Sequence, residues 1–278
     1  MRPGVYRRKQ RPACCFEGRV PAVPDFPTLC SPSDSMHRTR IKICGLTRAA
    51  DVAAAIVAGA DALGFVFYAK SARYVTPVQA ADLMAGLPPF VTTVGLFVNA
   101  SAREVADAVA IAPVSLLQFH GDESPQACAQ AAALVNRPYL VAVRVRPEMK
   151  SADLLEYEKR HRACSTLFAG LLLDAFVDGY GGGGKVFDWS VIPEELAPRV
   201  VLSGGLHVQN ATDAVASVRP HAVDVSTGVE RNDDGARRPG IKDADLIAAF
   251  IAAVRRADAA PAVPQRPTQA TDTDISKD

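Results

Sequence analysis

The stretch Arg40-Ile-Lys-Ile-Cys-Gly-Leu-Thr-Arg48 reads as a short buried strand running through a turn into a helix. Ile41, Ile43 and Leu46 are apolar, Gly45 permits a backbone conformation closed to other residues, and Thr47 stands where it can cap a helix beginning at Arg48. The strand delivers Cys44 to the turn, presented rather than hidden. Downstream the unit repeats. Further strands are expected at Ala62–Phe67, Thr92–Phe97, Ser115–Phe119, Tyr139–Val145, Thr166–Asp174, Arg199–Ser203 and Ala222–Val225, after the first at Ile41–Cys44. Their starts are about 20 to 33 residues apart, the size of one βα unit.

Between them lie alanine-rich helical patterns at Arg48–Ala58, Pro77–Gly86, Ala102–Ile111, Pro125–Val135, Met149–His161, Val208–Val218 and Ala244–Arg256. Thr76 before Pro77, Ser101 before an Ala-Arg-Glu turn and Ser124 before Pro125 each pair a capping hydroxyl with a helix start. The sixth unit leaves room only for a short helix near Ile192–Leu196. An open doubly wound sheet also alternates strands and helices, but it does not need eight evenly spaced units. The expected fold is therefore an α/β single-domain (β/α)8 TIM barrel over residues 38–256.

The 278 residues are about half apolar and carry a formal net charge of +1, with no basic run inside the folded part, which argues against a nucleic-acid partner. No apolar run approaches the roughly 20 residues of a membrane span. Cys14, Cys15, Cys30, Cys44, Cys128 and Cys164 have neither disulfide-framework nor zinc-site spacing, so reduced thiols in a cytoplasmic compartment fit best. Residues 1–37 are proline-rich, carry Arg2, Arg7, Arg8, Lys9, Arg11 and Arg19, and lack the apolar centre of a secretory signal. They read as a disordered leader, with a targeting peptide as the alternative and with translation beginning at Met36 as the simplest account. Residues 257–278 read as a disordered tail.

In a barrel the chemistry sits at the C-terminal ends of the strands. Those ends offer Cys44, Arg73, Asn99, Gln118 with His120, Arg144, Asp174, Ser203-Gly204-Gly205 and Asp224 through Gly228. Gly204 and Gly205 after the seventh strand, with Ser226, Thr227 and Gly228 after the eighth, form two consecutive loops suited to holding a phosphate on backbone amides. Asp174, at the end of an apolar strand, is expected to be partly desolvated, with a raised pKa that suits a proton donor. Cys44 fits either a small buried core residue or a base. Arg73 fits a two-hydrogen-bond clamp on a substrate carboxylate, or a surface salt bridge. His120 is a rival proton carrier, although capping the fourth strand through a backbone hydrogen bond is the preferred role. The run Gly179 to Lys185 nearly matches a nucleotide-binding loop, but Val186 offers no hydroxyl for magnesium, and a flap carrying Lys185 toward an anion is the better reading.

Taken together, Lys42-Ile-Cys-Gly-Leu-Thr47, Gly64-Phe-Val-Phe67 with Ser71-Ala-Arg-Tyr-Val75, Val94-Gly-Leu-Phe-Val98, Leu117-Gln-Phe-His-Gly-Asp122, Leu173-Asp174, Gly181 to Lys185 with Phe187-Asp-Trp189, Ser203-Gly-Gly-Leu206 and Asp224-Val-Ser-Thr-Gly-Val-Glu230 resemble phosphoribosylanthranilate isomerase over residues 38 to 256. Two departures lie in loops: Gly183 where that family often has threonine, and Thr227 where serine is common. The resemblance implies tryptophan biosynthesis, a small phosphosugar substrate, and no cofactor or metal. It also implies that Cys44 is the general base, Asp174 the general acid and Arg73 a neighbour of the anthranilate carboxylate. A base of this kind must be a thiolate, so its pKa is expected to be lowered by nearby positive potential. A histidine-pathway isomerase with two aspartates is the rival enzyme, and a catalytically silent phosphate-binding barrel the rival from another class. Monomer and homodimer both stand.

Overall fold

In the computed structural model, β1 (Arg40–Cys44) pairs in parallel with β2 (Ala62–Val66) on one side and with β8 (Ala222–Val225) on the other. Between them run β3 (Thr92–Phe97), β4 (Leu116–Phe119), β5 (Tyr139–Val145), β6 (Phe168–Ala175) and β7 (Val201–Leu202), and the sheet closes in the order β1 to β8. The structure describes residues 38–176 and 186–260, so the leader, the Met36 start, the Gly181–Lys185 flap and most of the expected tail lie outside the described residues.

Each strand is buried on both faces, and its side chains alternate between two environments. Ile41, Ile43, Leu63, Phe65, Leu117, Phe119, Val141, Val143, Leu171, Leu173, Val223 and Val225 join one large core shared with the helices. The alternate positions face the barrel interior. There Leu140, Ala142, Leu172, Val201 and Ala222 form a small apolar cluster, and Cys44, Val66 and Leu96 form another. Interleaved with them are buried polar side chains: Lys42, Gln118, Ser203 and Asp224. An interior that could be filled with hydrocarbon instead carries charge, and it does so beside the strand ends.

The helices are α1 (Ala49–Ala58), α2 (Pro77–Met84), α3 (Ala102–Ile111), α4 (Pro125–Val135), α5 (Ser151–Cys164), α6 (Ala211–Val218) and α7 (Ala244–Ala259). Thr76 and Ser101 form capping boxes with Gln79 and Glu104, and Ser124 accepts from the Ala127 amide, each cap stabilising its helix by about 1 kcal/mol. Thr47 does not cap α1. Arg48 is its N-cap residue, without a side-chain cap, and the Thr47 hydroxyl donates instead to the Gly240 carbonyl at 2.5 Å. Two short 3-10 turns, Trp189–Val191 and Ala197–Arg199, flank the expected helix at Ile192–Leu196, which stays a single turn closed on the Pro193 carbonyl because Pro198 has no N–H to carry it on, and Ile192 and Leu196 are buried there. α7 runs on to Ala259 rather than stopping at Arg256. Asp258 there accepts from the Thr39 amide and hydroxyl, tying the last helix to the start of β1.

One element was not foreseen. Between β8 and α7 the chain makes a hairpin of β9 (Glu230–Asp233) and β10 (Ala236–Lys242). Asp234 and Gly235, with φ of 51° and 84°, turn it, the pairing that favours a two-residue hairpin loop. No helix among the described residues is long and apolar enough to cross a membrane.

Candidate active site

Cys44, Arg73, His120, Asp174, Ser203, Gly204, Gly205, Ser226, Thr227 and Gly228 all border one cavity of about 380 Å³ at the C-terminal end of the barrel. The expected strand-end list thus converges on a single place, with two exceptions. Arg144 turns away to pair with Asp122, and both border a separate cavity that also touches α4 and α5. Asn99 accepts from the Asp122 amide at 2.8 Å and does not border the main cavity.

Cys44 is not openly presented: only 5% of it is exposed, on the cavity wall. Burial pushes its thiol pKa up, against the downward pull of Lys42 and Lys242 and with a further upward push from Asp224. That reverses the expected direction, because desolvation outweighs the positive potential. Gly64 on β2 makes the room, since a Cβ there would stand 2.9 Å from the Cys44 sulfur.

Asp174 lies at the end of β6, three strands from β1 around the ring by way of β7 and β8. His120 Nε2 sits 3.1 Å from Asp174 Oδ2, and the Ala175 amide donates to Oδ1 at 2.9 Å. Gln118 Nε2 lies 3.0 Å from His120 Nδ1. His120 is therefore a side-chain partner of Asp174, and its amide also donates to the Phe97 carbonyl at 2.8 Å, the backbone bond expected at the end of the fourth strand. Gly204 allows the β7 loop to press on this pair: a Cβ would meet the Ala175 nitrogen at 2.3 Å and Asp174 Oδ1 at 2.9 Å, and its φ is 80°.

Arg73 reaches in from the β2–α2 loop. Its Nε and Nη2 donate to the two oxygens of Glu230 at 2.7 and 2.8 Å, and Nη2 also lies 3.3 Å from the Thr227 hydroxyl. The arginine thus makes a salt bridge, but a buried one on the cavity wall rather than on the surface. Lys242 Nζ donates to the Ser226 carbonyl at 3.0 Å and to Glu230 Oε1 at 3.3 Å. Burial opposes ionisation of Glu230, but hydrogen bonds from Arg73, the charge of Lys242 and the Gly240 amide outweigh it and hold its pKa below the usual carboxylate range. Gly228 lets the β7 and β8 loops cross, because a Cβ there would stand 2.0 Å from the Leu206 carbonyl oxygen.

Glu230, Lys242 and Lys42 were not singled out from the sequence as site residues, and Asp224 stood there only as the first residue of the eighth strand-end stretch. The last two had a signal, a charge of each sign between apolar neighbours on strands with no solvent face. No cluster of three or more His, Cys, Asp or Glu among the described residues is arranged to hold a metal ion. One stretch of the wall is apolar, built from Val66, Tyr68, Leu96 and Val98 beside Cys44. One thiol, the Asp174 carboxyl, two glycine loops, an anchored arginine and an apolar stretch of wall make a site for a molecule with a reactive centre, an anionic end and a flat apolar part.

Known proteins of this make-up agree. A family model described as N-(5'phosphoribosyl)anthranilate (PRA) isomerase matches residues 41–253. N-(5'-phosphoribosyl)anthranilate isomerase from Herminiimonas arsenicoxydans is 64% identical over 225 residues, covering 81% of this chain and 96% of that one. The protein of that name from Methylibium petroleiphilum is 56% identical, covering 80% and 96%. The crystal structure of phosphoribosyl anthranilate isomerase from Thermotoga maritima is 39% identical, covers 78% of this chain and 99% of that one, and superposes with a TM-score of 0.67. A second crystal structure, of the isomerase in complex with reduced 1-(o-carboxyphenylamino)-1-deoxyribulose 5-phosphate, is 37% identical over the same shares, with a TM-score of 0.65. With the barrel, the strand-end residues and these matches in agreement, the chain belongs to the phosphoribosylanthranilate isomerase family.

Proposed function

We propose that the protein converts N-(5-phosphoribosyl)anthranilate into 1-(2-carboxyphenylamino)-1-deoxyribulose 5-phosphate, with Asp174 as general acid and Cys44 as general base. The observation that carries this is the meeting of thiol, carboxyl, glycine loops and arginine on one cavity wall in a chain of this family.

Opening the furanose ring requires a proton on its ring oxygen as the C1′–O bond breaks, which leaves a protonated Schiff base. Asp174 supplies that proton, held in orientation by His120 and the Ala175 amide. Removing the C2′ proton then gives a neutral enolamine. Cys44 as thiolate accepts that proton, and the enolamine becomes the ketone by gaining a proton at C1′ and losing one from the C2′ hydroxyl. Exchange with solvent returns Asp174 to the acid and Cys44 to the thiolate. The loops at Gly204, Gly205, Ser226, Thr227 and Gly228 suit the phosphate, which glycine allows to approach the amides. Arg73 suits the carboxylate end, and Val66, Leu96 and Val98 suit the aromatic ring.

The rival with two catalytic aspartates finds less support. The second inward carboxylate, Asp224, is paired with Lys42 at 2.8 Å. One relative from Thermotoga maritima, 35% identical with a TM-score of 0.65, is described as a dimeric protein from which monomers were generated. For this chain, sedimentation analysis distinguishes monomer from homodimer. The activity itself is tested by the fluorescence decay of phosphoribosylanthranilate with wild-type and Cys44→Ala protein. Loss of fluorescence with wild type only is expected, and equal decay with both would remove Cys44 from the mechanism.

A further inference from the structure

We propose that Lys42, clamped by Asp224 inside the barrel, sets the fraction of Cys44 present as thiolate and so acts as a positioning residue for proton abstraction. The proposal rests on the reading of Cys44 as the base. It begins with register. Lys42 stands two residues before Cys44 on β1, so both side chains point to the same face of the strand, the barrel interior. Lys42 Nζ donates to Asp224 Oδ1 on β8 at 2.8 Å, and the two side chains are only 5% and 6% exposed. On the other flank, the point where a Cβ of Gly64 would stand is 2.9 Å from the Cys44 sulfur and 3.0 Å from Lys42 Nζ. The missing side chain at Gly64 leaves thiol and ammonium side by side.

Packing does not require this arrangement. Burying an ion pair costs several kcal/mol of desolvation per ion, and apolar replacements of similar volume are often neutral or stabilising. Neighbouring interior positions Leu140, Leu172, Val201 and Ala222 are filled with hydrocarbon. The charged pair instead sits beside the one thiol on the cavity wall, where its field acts through a poorly solvated medium. Lys42 favours the thiolate and Asp224 opposes it, with Lys42 the stronger of the two. Lys242 from β10 adds to Lys42 from farther away. The other charged or titratable groups on this cavity are Tyr68 and Arg73 from the β2–α2 loop, His120 after β4, Asp174 on β6, His207 after β7, Glu230 from β9 and Arg237 from β10. Asp224 also accepts from Ser203 at 3.4 Å, so its carboxylate is held on two sides and fixes the ammonium in turn.

The test is the pH dependence of Cys44 alkylation by iodoacetamide in the full chain, followed by peptide mass mapping so that Cys44 is read apart from the other cysteines. Lys42→Met is expected to raise the half-reaction pH by about one unit, which is roughly tenfold slower alkylation at any pH below it. Asp224→Asn is expected to lower it. Opposite displacements are the signature of a field and not of a disturbed fold. Should Lys42→Met fail to fold, the double variant Lys42→Met/Asp224→Asn removes both charges and is expected to shift upward with near wild-type stability. An unmoved profile in the variants that fold, or the same direction of shift in both single variants, overturns the proposal. Turnover by Cys44→Ala is measured separately. Retained turnover there sinks the base assignment, while the alkylation profiles still decide what Lys42 does.

Discussion

Replacing Glu230 by glutamine tests whether the arginine on the cavity wall is aimed by a buried carboxylate. Glu230 Oε1 accepts from Arg73 Nε at 2.7 Å, from the Gly240 amide at 2.8 Å and from Lys242 Nζ at 3.3 Å, while Oε2 accepts from Arg73 Nη2 at 2.8 Å. The Glu230 and Lys242 side chains are fully buried and that of Arg73 is 14% exposed. A glutamine oxygen can take over the contacts of one carboxylate oxygen, but its NH2 then faces a guanidinium donor, and two cations lose their shared anion. Removing one partner of a buried ion pair destabilises by about 3 to 5 kcal/mol, and the residual solvent access of Arg73 puts the expectation for Glu230→Gln near 3. Urea unfolding with an unchanged slope reads that loss. Arg73, released on one side, should also raise KM about tenfold, equivalent to about 1.4 kcal/mol of binding, with a smaller change in kcat. A stability loss below about 1 kcal/mol together with an unchanged KM would refute the reasoning, because it would mean that the carboxylate neither neutralises nor aims the arginine.

His120→Asn, too short to reach Asp174, should lower kcat by about 10- to 100-fold with little change in KM, read by steady-state kinetics. Gly204→Ala forces a side chain onto the Ala175 nitrogen at a φ of 80° and should cost at least about 1 to 2 kcal/mol in urea unfolding while also lowering kcat. His161 is buried against Tyr139 and Phe168, and burial together with Arg160 pushes its pKa down to about 4. The unfolded chain therefore takes up a proton that the folded chain refuses. Stability should fall as pH drops from about 6.5 toward 5, by up to about 1 kcal/mol per unit, and His161→Phe should flatten that slope in urea midpoints measured at each pH.

The barrel was legible because each βα unit is short and carries its own punctuation. Apolar strand runs, hydroxyl caps at Thr76, Ser101 and Ser124, and Gly45 with φ of 73° all act within a few residues of one another. What escaped depends on neighbours distant in sequence. His120 finds Asp174 across 54 residues because β4 and β6 end side by side around β5, and nothing local to Phe119-His120-Gly121 announces it. The hairpin did have a local sign, the Asp234-Gly235 pair, but its strands are rich in arginine and lack the apolar alternation that marks a strand. The direction of the Cys44 shift was misjudged for a further reason. Positive neighbours can be counted along a sequence, whereas desolvation depends on how completely the barrel closes over the thiol.

That contrast explains where this fold spends its stability. The shell between strands and helices is hydrocarbon. Two clusters of buried charge, Lys42 with Asp224 beside the thiol and Arg73, Glu230 and Lys242 beside the β8 loop, border the same cavity or the loop that closes it, while the other buried carboxylates among the described residues, Asp51 and Glu158, pair with exposed arginines. Buried ion pairs are weak contributors to stability, so the two clusters in which the cation is buried as well follow the site and not the fold. The hairpin belongs to the same logic. It carries Lys242 beneath Ser226 and brings Gly240 against Glu230, so an element absent from the repeating βα pattern supplies the fixed charges that hold the arginine and the loop in register.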